Sequence, residues 1–164
     1  ELVVIKMRHK QNDPSLTVQE IARVTTTLPY NLDAWDGYFT EREQLYAILS
    51  GKNVVVLAGD THNAWMGKLT DMQGNFMGTE IACSSVSSPG LEAYLGITSD
   101  PKKAIELAQA FTVLIDDLEY ANLYKRGYTY LKFTSSVSEV EWRFVDNVTT
   151  ETISTVTEKK YTIV

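Results

Sequence analysis

The sequence predicts a mixed α/β domain with an antiparallel C-terminal meander. Three observations predict it. Asn53 to Ala58 reads NVVVLA, a continuous apolar run rich in β-branched residues, which is what a strand buried on both faces needs; it stops abruptly at Gly59-Asp60. Asp100 followed by Pro101 is a helix start, and Ala104, Leu107, Ala108 and Phe111 behind it keep the i, i+3, i+4, i+7 stripe of an amphipathic helix. From Gly127 onward the period drops to two, with Val140, Trp142 and Phe144 alternating with Glu139, Glu141 and Arg143 to give one apolar face and one wet face.

The other elements follow in chain order. The opening ELVVIKMRHK reads as a strand. Thr17 and Glu20 have capping-box spacing ahead of Ile21, Ala22 and Val24, so a short helix begins near residue 17. Thr25 to Tyr38 sustains no period and contains Pro29, Asn31, Asp33, Asp36 and Gly37, the composition of a structured loop. Thr40 and Glu43 repeat the capping-box spacing, Leu45, Ile48 and Leu49 share a face, and Gly51 stands where a left-handed residue ends a helix. Met66 to Asp71 and Asn75 to Cys83 flank a Gln73-Gly74 turn as a hairpin. Ser84 to Gly90 is a small-residue loop closed by Pro89-Gly90. Tyr128 to Phe133 and Thr152 to Val164 are expected as antiparallel neighbours of the alternating strand.

Composition bounds the function classes. A chain of 164 residues reads as one domain spanning 1–164, long enough to bury roughly two-thirds of its unfolded surface. Apolar residues at 44% and charged residues at 22% place it among ordinary globular domains. The net charge of −6, with fifteen Lys and Arg scattered along the chain, argues against a polymeric nucleic acid as partner. A single cysteine, Cys83, excludes an internal disulfide and reads as a small buried strand residue. No apolar run approaches the ~18 residues of a membrane-spanning helix, and no leader-like segment opens the chain. Strand-like ends and the lack of an initiator Met suggest a piece of a longer or processed protein.

The strongest chemical signal is Gly59-Asp60-Thr61-His62-Asn63-Ala64-Trp65, directly after the NVVVLA strand. Open α/β sheets gather ligands at the carboxyl ends of their strands, where the leaving chain points polar side chains into one crevice. Asp60 and His62, two residues apart, both suit a metal, or one suits metal and the other substrate; Asn63 adds a neutral oxygen acceptor. Gly59 frees the backbone for a tight turn. The plainer reading makes Asp60 the start of an Asx turn and His62 a surface histidine; position after the strand argues against it. The chain has two histidines, and His9 sits among Lys6, Arg8 and Lys10 in a solvated stretch.

Two further clusters stay open. Asp33, Trp35, Asp36 and Tyr38 form either a pocket wall, with a carboxylate orienting His62, or a local arrangement in which Asp36 accepts backbone N–H groups and the rings pack on the following helix. Cys83-Ser84-Ser85-Val86-Ser87-Ser88-Pro89-Gly90 offers hydroxyls and N–H groups to a phosphate oxygen but lacks the spacing and Lys of a P-loop. A serine nucleophile is the weaker reading, since no Gly-x-Ser-x-Gly elbow is present and His62 is the only base at hand. Asn147-Val148-Thr149 fits a glycosylation sequon on a pattern short enough to arise by chance. Asp116, Asp117 and Glu119 read as solvated acids.

The order of the pieces carries more than any one of them. LPYNLDAWDGY, a helix containing ERE, NVVVLAGDTHNAW, SSVSSPG, RGYTYLKFT and VEWRFVD, from about Leu28 to Asp146, together resemble the PhoD-like alkaline phosphatases, a branch of the calcineurin-like metallophosphoesterases. The resemblance implies the C-terminal part of a four-layer α/β/β/α sandwich whose multi-metal centre holds two or more divalent or trivalent ions drawn from zinc, manganese, iron or calcium. It implies that Asp60 ligates metal and that His62 lies beside metal or phosphate as ligand and catalytic group, with Asn63, Asp36, Trp35 and Tyr38 as substrate-binding or supporting residues. It implies hydrolysis of a small phosphate mono- or diester by in-line attack of activated water, and a periplasmic or cell-surface setting. The family's other acidic and Asn-containing metal motifs belong to an N-terminal half of the same domain that nothing before Leu28 matches, so two ligands fall short of the usual three of a catalytic zinc site and the chain alone is expected to be inert. A non-catalytic binding or structural module that keeps half of the fold is the alternative.

Overall fold

Two sheets, each built from short-range signals in the chain, carry the fold in the computed structural model, which describes residues 2–25, 31–151 and 154–163. The helices are α1 (Leu2–Lys10), α2 (Val18–Thr25), α3 (Phe39–Leu49), α4 (Leu91–Tyr94) and α5 (Pro101–Leu114). The strands are β1 (Val55–Ala58), β2 (Ala64–Thr70), β3 (Phe76–Ala82), β4 (Leu118–Asn122), β5 (Gly127–Phe133), β6 (Ser138–Val145) and β7 (Thr155–Ile163). The first sheet has the order β1-β3-β2-β4, with β1 parallel to β3 and the other pairs antiparallel. The second is the expected antiparallel meander, β5-β6-β7.

Local chemistry explains most boundaries. The box before α2 forms as read: the Glu20 N–H donates to Thr17 Oγ1 at 3.2 Å and the Thr17 N–H to Glu20 Oε2 at 2.8 Å. At α5 the Asp100 carboxylate accepts the Lys103 N–H at 3.2 Å, with Pro101 in the first turn. Gly51 is left-handed at φ +74°, as is Gly74 at +81° in the β2–β3 turn. The box expected at Thr40–Glu43 does not form, because α3 already begins at Phe39 without a side-chain cap; Glu43 instead accepts the Met72 N–H of the neighbouring turn at 3.2 Å.

Two expectations are corrected. The N-terminal segment is helix α1, not strand, and it packs against α2 and α5, so tertiary contact overrides the β-branched bias of Val3, Val4 and Ile5. β1 is not buried on both faces: Leu57 is 55% exposed, and among the described residues β1 has a strand partner on one edge only. Residues 26–30 of the expected loop and 152, 153 and 164 of the expected last strand lie outside the described residues.

The core lies between the sheets. Ala64, Met66 and Ile81 of the first face Val140, Trp142, Phe144 and Ile163 of the second. The period-two pattern of β6 is what puts Val140, Trp142 and Phe144 on one face, and all three are buried. The Trp142 indole also donates to the Ala82 carbonyl at 3.2 Å, pinning the carboxyl end of β3 to the second sheet.

Candidate functional site

β1 and β3 run parallel, so the loops leaving them emerge side by side at one end of the sheet. The backbone stitches these loops together. The Cys83 N–H donates to the Ala58 carbonyl at 3.0 Å, and the Ser85 N–H to the His62 carbonyl at 3.4 Å.

The loop after β1 is strained in an unexpected place. Asp60 and His62 both adopt the left-handed region, at φ +65° and +58°, where only a few per cent of non-glycine residues are found. Sequence placed the turn's freedom at Gly59, yet Gly59 shows no positive φ and a Cβ there would meet nothing within 4 Å. Such conformations cost about 1–3 kcal/mol each and persist when the surroundings hold them. Here the holding is visible. The Thr61 N–H reaches the Gly59 carbonyl at 2.8 Å, the Asn63 amide donates to the Thr61 carbonyl at 2.7 Å, and the Trp65 indole donates to Thr61 Oγ1 at 3.1 Å. Asn63, 5% exposed, accepts the Leu91 N–H at 3.1 Å through its Oδ1. Its oxygen is thereby committed to the loop.

His62 is oriented by the second loop. Its Nδ1 lies 2.8 Å from the Pro89 carbonyl oxygen. A carbonyl only accepts, so Nδ1 carries the proton and a neutral ring keeps its lone pair on Nε2. Nε2 has no hydrogen-bond partner among the described residues, and the ring borders a cleft of about 500 Å³ shared with Ser88, Pro89, Ala93 and Tyr94. Asp60 is exposed and makes no hydrogen bond or ion pair among the described residues. One free imidazole nitrogen and one free carboxylate are donors of the right kind for a metal, and a hydrogen-bonded second ring nitrogen is the usual support of a ligating histidine. The set is incomplete by itself: among the described residues no three His, Cys, Asp or Glu side chains gather closely enough to hold an ion.

Beneath this surface lies a pair that sequence reasoning missed. Glu92, 4% exposed, accepts the Gly90 N–H at 3.2 Å and the Arg126 guanidinium, both through Oε1, while Oε2 has no partner. Gly90 is required by close approach, since a Cβ would overlap Asn63 Oδ1 and stand 2.9 Å from Glu92 Oε2. The Pro89-Gly90 turn was visible in the sequence. The Glu92–Arg126 contact joins positions 34 apart and left no local signal.

The other sequence candidates sit elsewhere. Trp35 to Gly37 form one 3₁₀ turn; Asp36 accepts from Arg42 at 2.8 Å, and Trp35 and Tyr38 are about half exposed. Trp35 and Asp36 line a separate cavity of about 500 Å³ with Tyr46, Val56, Lys68 and Glu80, and the structure does not bring them into the His62 cleft. Ser85 donates to the Ser88 carbonyl, the Ser84 hydroxyl is buried without a partner, and neither is bonded to the His62 ring, so the hydrogen bond that a serine nucleophile needs from its base is not made. Cys83 is free but not the buried strand residue expected: it is partly exposed and lies just past β3, where the chain leaves the sheet. Of the three acids set aside, Asp116 pairs with Lys10, Asp117 accepts the Thr70 hydroxyl and Glu119 pairs with Lys68.

Comparison with known proteins agrees with the motif order. A family model described as PhoD-like phosphatase matches residues 2–142, starting well before the resemblance expected from Leu28. Alkaline phosphatase D of Bacillus subtilis (strain 168) is 37% identical over 68 residues, covering 37% of this chain and 12% of that protein. A solved structure of PhoD shares the fold with a TM-score of 0.60 at 20% identity, over 81% of this chain and 25% of that one. The chain thus spans a quarter or less of each of these relatives' length. With most of its length matched by that family, and with Asp60 and His62 set in the loop after β1, the chain belongs to the PhoD-like phosphatases.

Proposed function

We propose that this chain supplies part of the active centre of a metal-dependent phosphoesterase acting on a small phosphate mono- or diester, with Asp60 and His62 as metal ligands and His62 also serving the reaction as a charge-stabilising or proton-transferring group. The observation that carries this is the His62 ring: Nδ1 is fixed on the Pro89 carbonyl at 2.8 Å and Nε2 is left free. A backbone held in the left-handed region at both Asp60 and His62, with bonds from Ser85, Pro89 and Leu91 to the loop, is a second support, since such strain is typical of sites that hold side chains for chemistry. Divalent or trivalent ions held there would supply Lewis-acid polarisation of the ester. Asn63 is a positioning residue in this reading, through its bonds to Thr61 and Leu91. No chemistry is placed on Trp35, Asp36 or Tyr38, whose contacts are local. Two packed sheets with helices beside them are consistent with membership of a larger four-layer α/β/β/α domain, whose remaining part would provide further ligands.

A second reading follows from the incomplete donor set: a non-catalytic binding or structural module that keeps half of the fold, for which the complete protein too would be metal-free and inert. Elemental analysis and hydrolysis of a chromogenic phosphate ester, made on a complete PhoD-like protein carrying this chain and on the 164-residue chain, separate the two. Metal and turnover are expected in the complete protein and neither in the chain alone. In the complete protein Asp60→Ala should remove metal and activity together, and His62→Ala should lower turnover by ~100-fold or more. Unchanged metal content and rate in both variants would overturn the assignment.

A further inference from the structure

We infer that Glu92 and Arg126 are positioning residues for His62, acting through the single peptide unit between Pro89 and Gly90. The inference rests on the reading of His62 as the working imidazole, and the test below is read without turnover.

The carbonyl of Pro89 and the N–H of Gly90 belong to one planar amide and point in opposite directions across it. The carbonyl accepts from His62 Nδ1 at 2.8 Å. The N–H donates to Glu92 Oε1 at 3.2 Å. Rotation of that plane cannot disturb one bond without disturbing the other, so whatever fixes Glu92 fixes the acceptor that selects the His62 tautomer. Glu92 is fixed by the Arg126 guanidinium, whose side chain is 10% exposed against 5% for Glu92. Charge assistance and exclusion from water both strengthen such bonds.

Arg126 is itself anchored at several points. Its carbonyl accepts the Val145 N–H of β6 at 2.8 Å, and its guanidinium donates to the Lys125 carbonyl at 3.2 Å. The next residue, Gly127, donates its N–H to the Ser85 carbonyl at 3.0 Å, joining the second sheet to the loop after β3. Asn63 Oδ1 takes the following N–H, that of Leu91. The meander therefore reaches the His62 ring by a continuous route: β6, Arg126, Glu92, the Pro89–Gly90 amide, Nδ1. Gly90 permits the close stacking of Asn63 and Glu92 on that amide, as a Cβ there would overlap both.

The chain has two histidines, so nitrogen-detected NMR of the isotopically labelled 164-residue chain reads His62 with His9 as internal control. Above the ordinary imidazole titration range, His62 of the unaltered chain should be mainly the Nδ1–H tautomer. Glu92→Gln, which keeps an oxygen for the Gly90 N–H, should retain that form. The double variant Glu92→Leu with Arg126→Leu removes both buried charges together, leaving no unpaired ion. It should lose Nδ1–H as the majority form and move toward the Nε2–H form that free histidine favours, while His9 is unchanged. Retention of the Nδ1–H majority in the folded double variant, or an Nε2–H majority in the unaltered chain, overturns the inference. A normal tautomer response in the chain, together with no phosphatase activity in the complete protein, would overturn the proposed function and leave the wiring intact.

Discussion

The loop that follows β1 and the loop that precedes α3 hold the two clusters that sequence marks as chemical, and they are built in different ways. Residues 60–63 are tied to residues 85, 89 and 91 by bonds crossing more than twenty positions, and beneath them lies the buried Glu92–Arg126 pair. Residues 31–38 are closed on themselves: the Asp33 N–H reaches Asn31 Oδ1 at 2.9 Å, the Gly37 N–H the Ala34 carbonyl at 2.9 Å, and Asp36 the next helix through Arg42. Aspartates and aromatic rings are common to turns and to active sites alike. Long-range bracing distinguishes the two loops here, because a side chain held from several distant elements keeps one orientation whereas a locally closed turn moves as a unit.

That contrast predicts where substitutions do most damage. Trp142→Ala removes the largest fully buried side chain together with its bond to the Ala82 carbonyl, and should destabilise the chain by about 3–5 kcal/mol in chemical denaturation. It should also loosen the His62 loop, read as faster amide exchange at residues 84–91. Gly90→Ala comes next, at about 1–3 kcal/mol, because the added methyl meets buried Asn63 and Glu92 and neither can retreat toward water. Gly37→Ala produces an overlap as severe on paper, against the Leu32 carbonyl, but in an exposed turn that can refold locally. If Gly37→Ala destabilised the whole chain more than Gly90→Ala, the division into a braced and a self-closed loop would be wrong.

How much of this was legible in the sequence follows from the range of each signal. The box at Thr17–Glu20, the Asp100-Pro101 start, the Gln73-Gly74 turn and the alternation through Val140, Trp142 and Phe144 act within a few residues, and all appear in the fold. Helix α1 did not, because it is placed by packing against α2 and α5, which no local pattern announces. β4 was missed since Leu118 to Asn122 is placed by its register against β2, and its flanking acids resemble a surface turn. The loop after β1 was found by its position behind an apolar strand. Its geometry was not legible, because the left-handed Asp60 and His62 lie in a loop held by Pro89 and Leu91, and Glu92 gains meaning only from Arg126.

Glu80 sharpens the comparison by pH. It faces the cavity beside Trp35 and Asp36 and makes no hydrogen bond or ion pair among the described residues, unlike Glu92. Burial pushes its carboxyl above the ordinary value, and the like charge of Asp36 adds to the shift. A raised folded-state value means stability that is fully present below the unfolded value of ~4.3 and is lost as pH rises through the folded one. Glu80→Gln should therefore match the unaltered chain near pH ~4 and exceed it increasingly toward neutrality, in urea midpoints measured across that range. Equal midpoints at all pH values would show that the Glu80 carboxyl is as well compensated as that of Glu92.

The smallest effect is expected at Asp36. Its carboxylate is 63% exposed and meets Arg42 at 2.8 Å, and exposed pairs of this kind are worth about 0.2–1 kcal/mol at low salt and less when screened. Arg42 keeps other partners: its guanidinium lies 5.4 Å from the Phe39 ring centre and 5.9 Å from that of Tyr46, and its Nε stands 3.6 Å from Glu43. Asp36→Ala should therefore lower stability by less than about 1 kcal/mol, the loss shrinking in high salt. The fraction of Nδ1–H tautomer at His62 should stay the same, since no contact joins Asp36 to the loop after β1 among the described residues. A changed His62 tautomer in Asp36→Ala would mean that the two loops communicate, and would restore Asp36 as a residue that orients the imidazole.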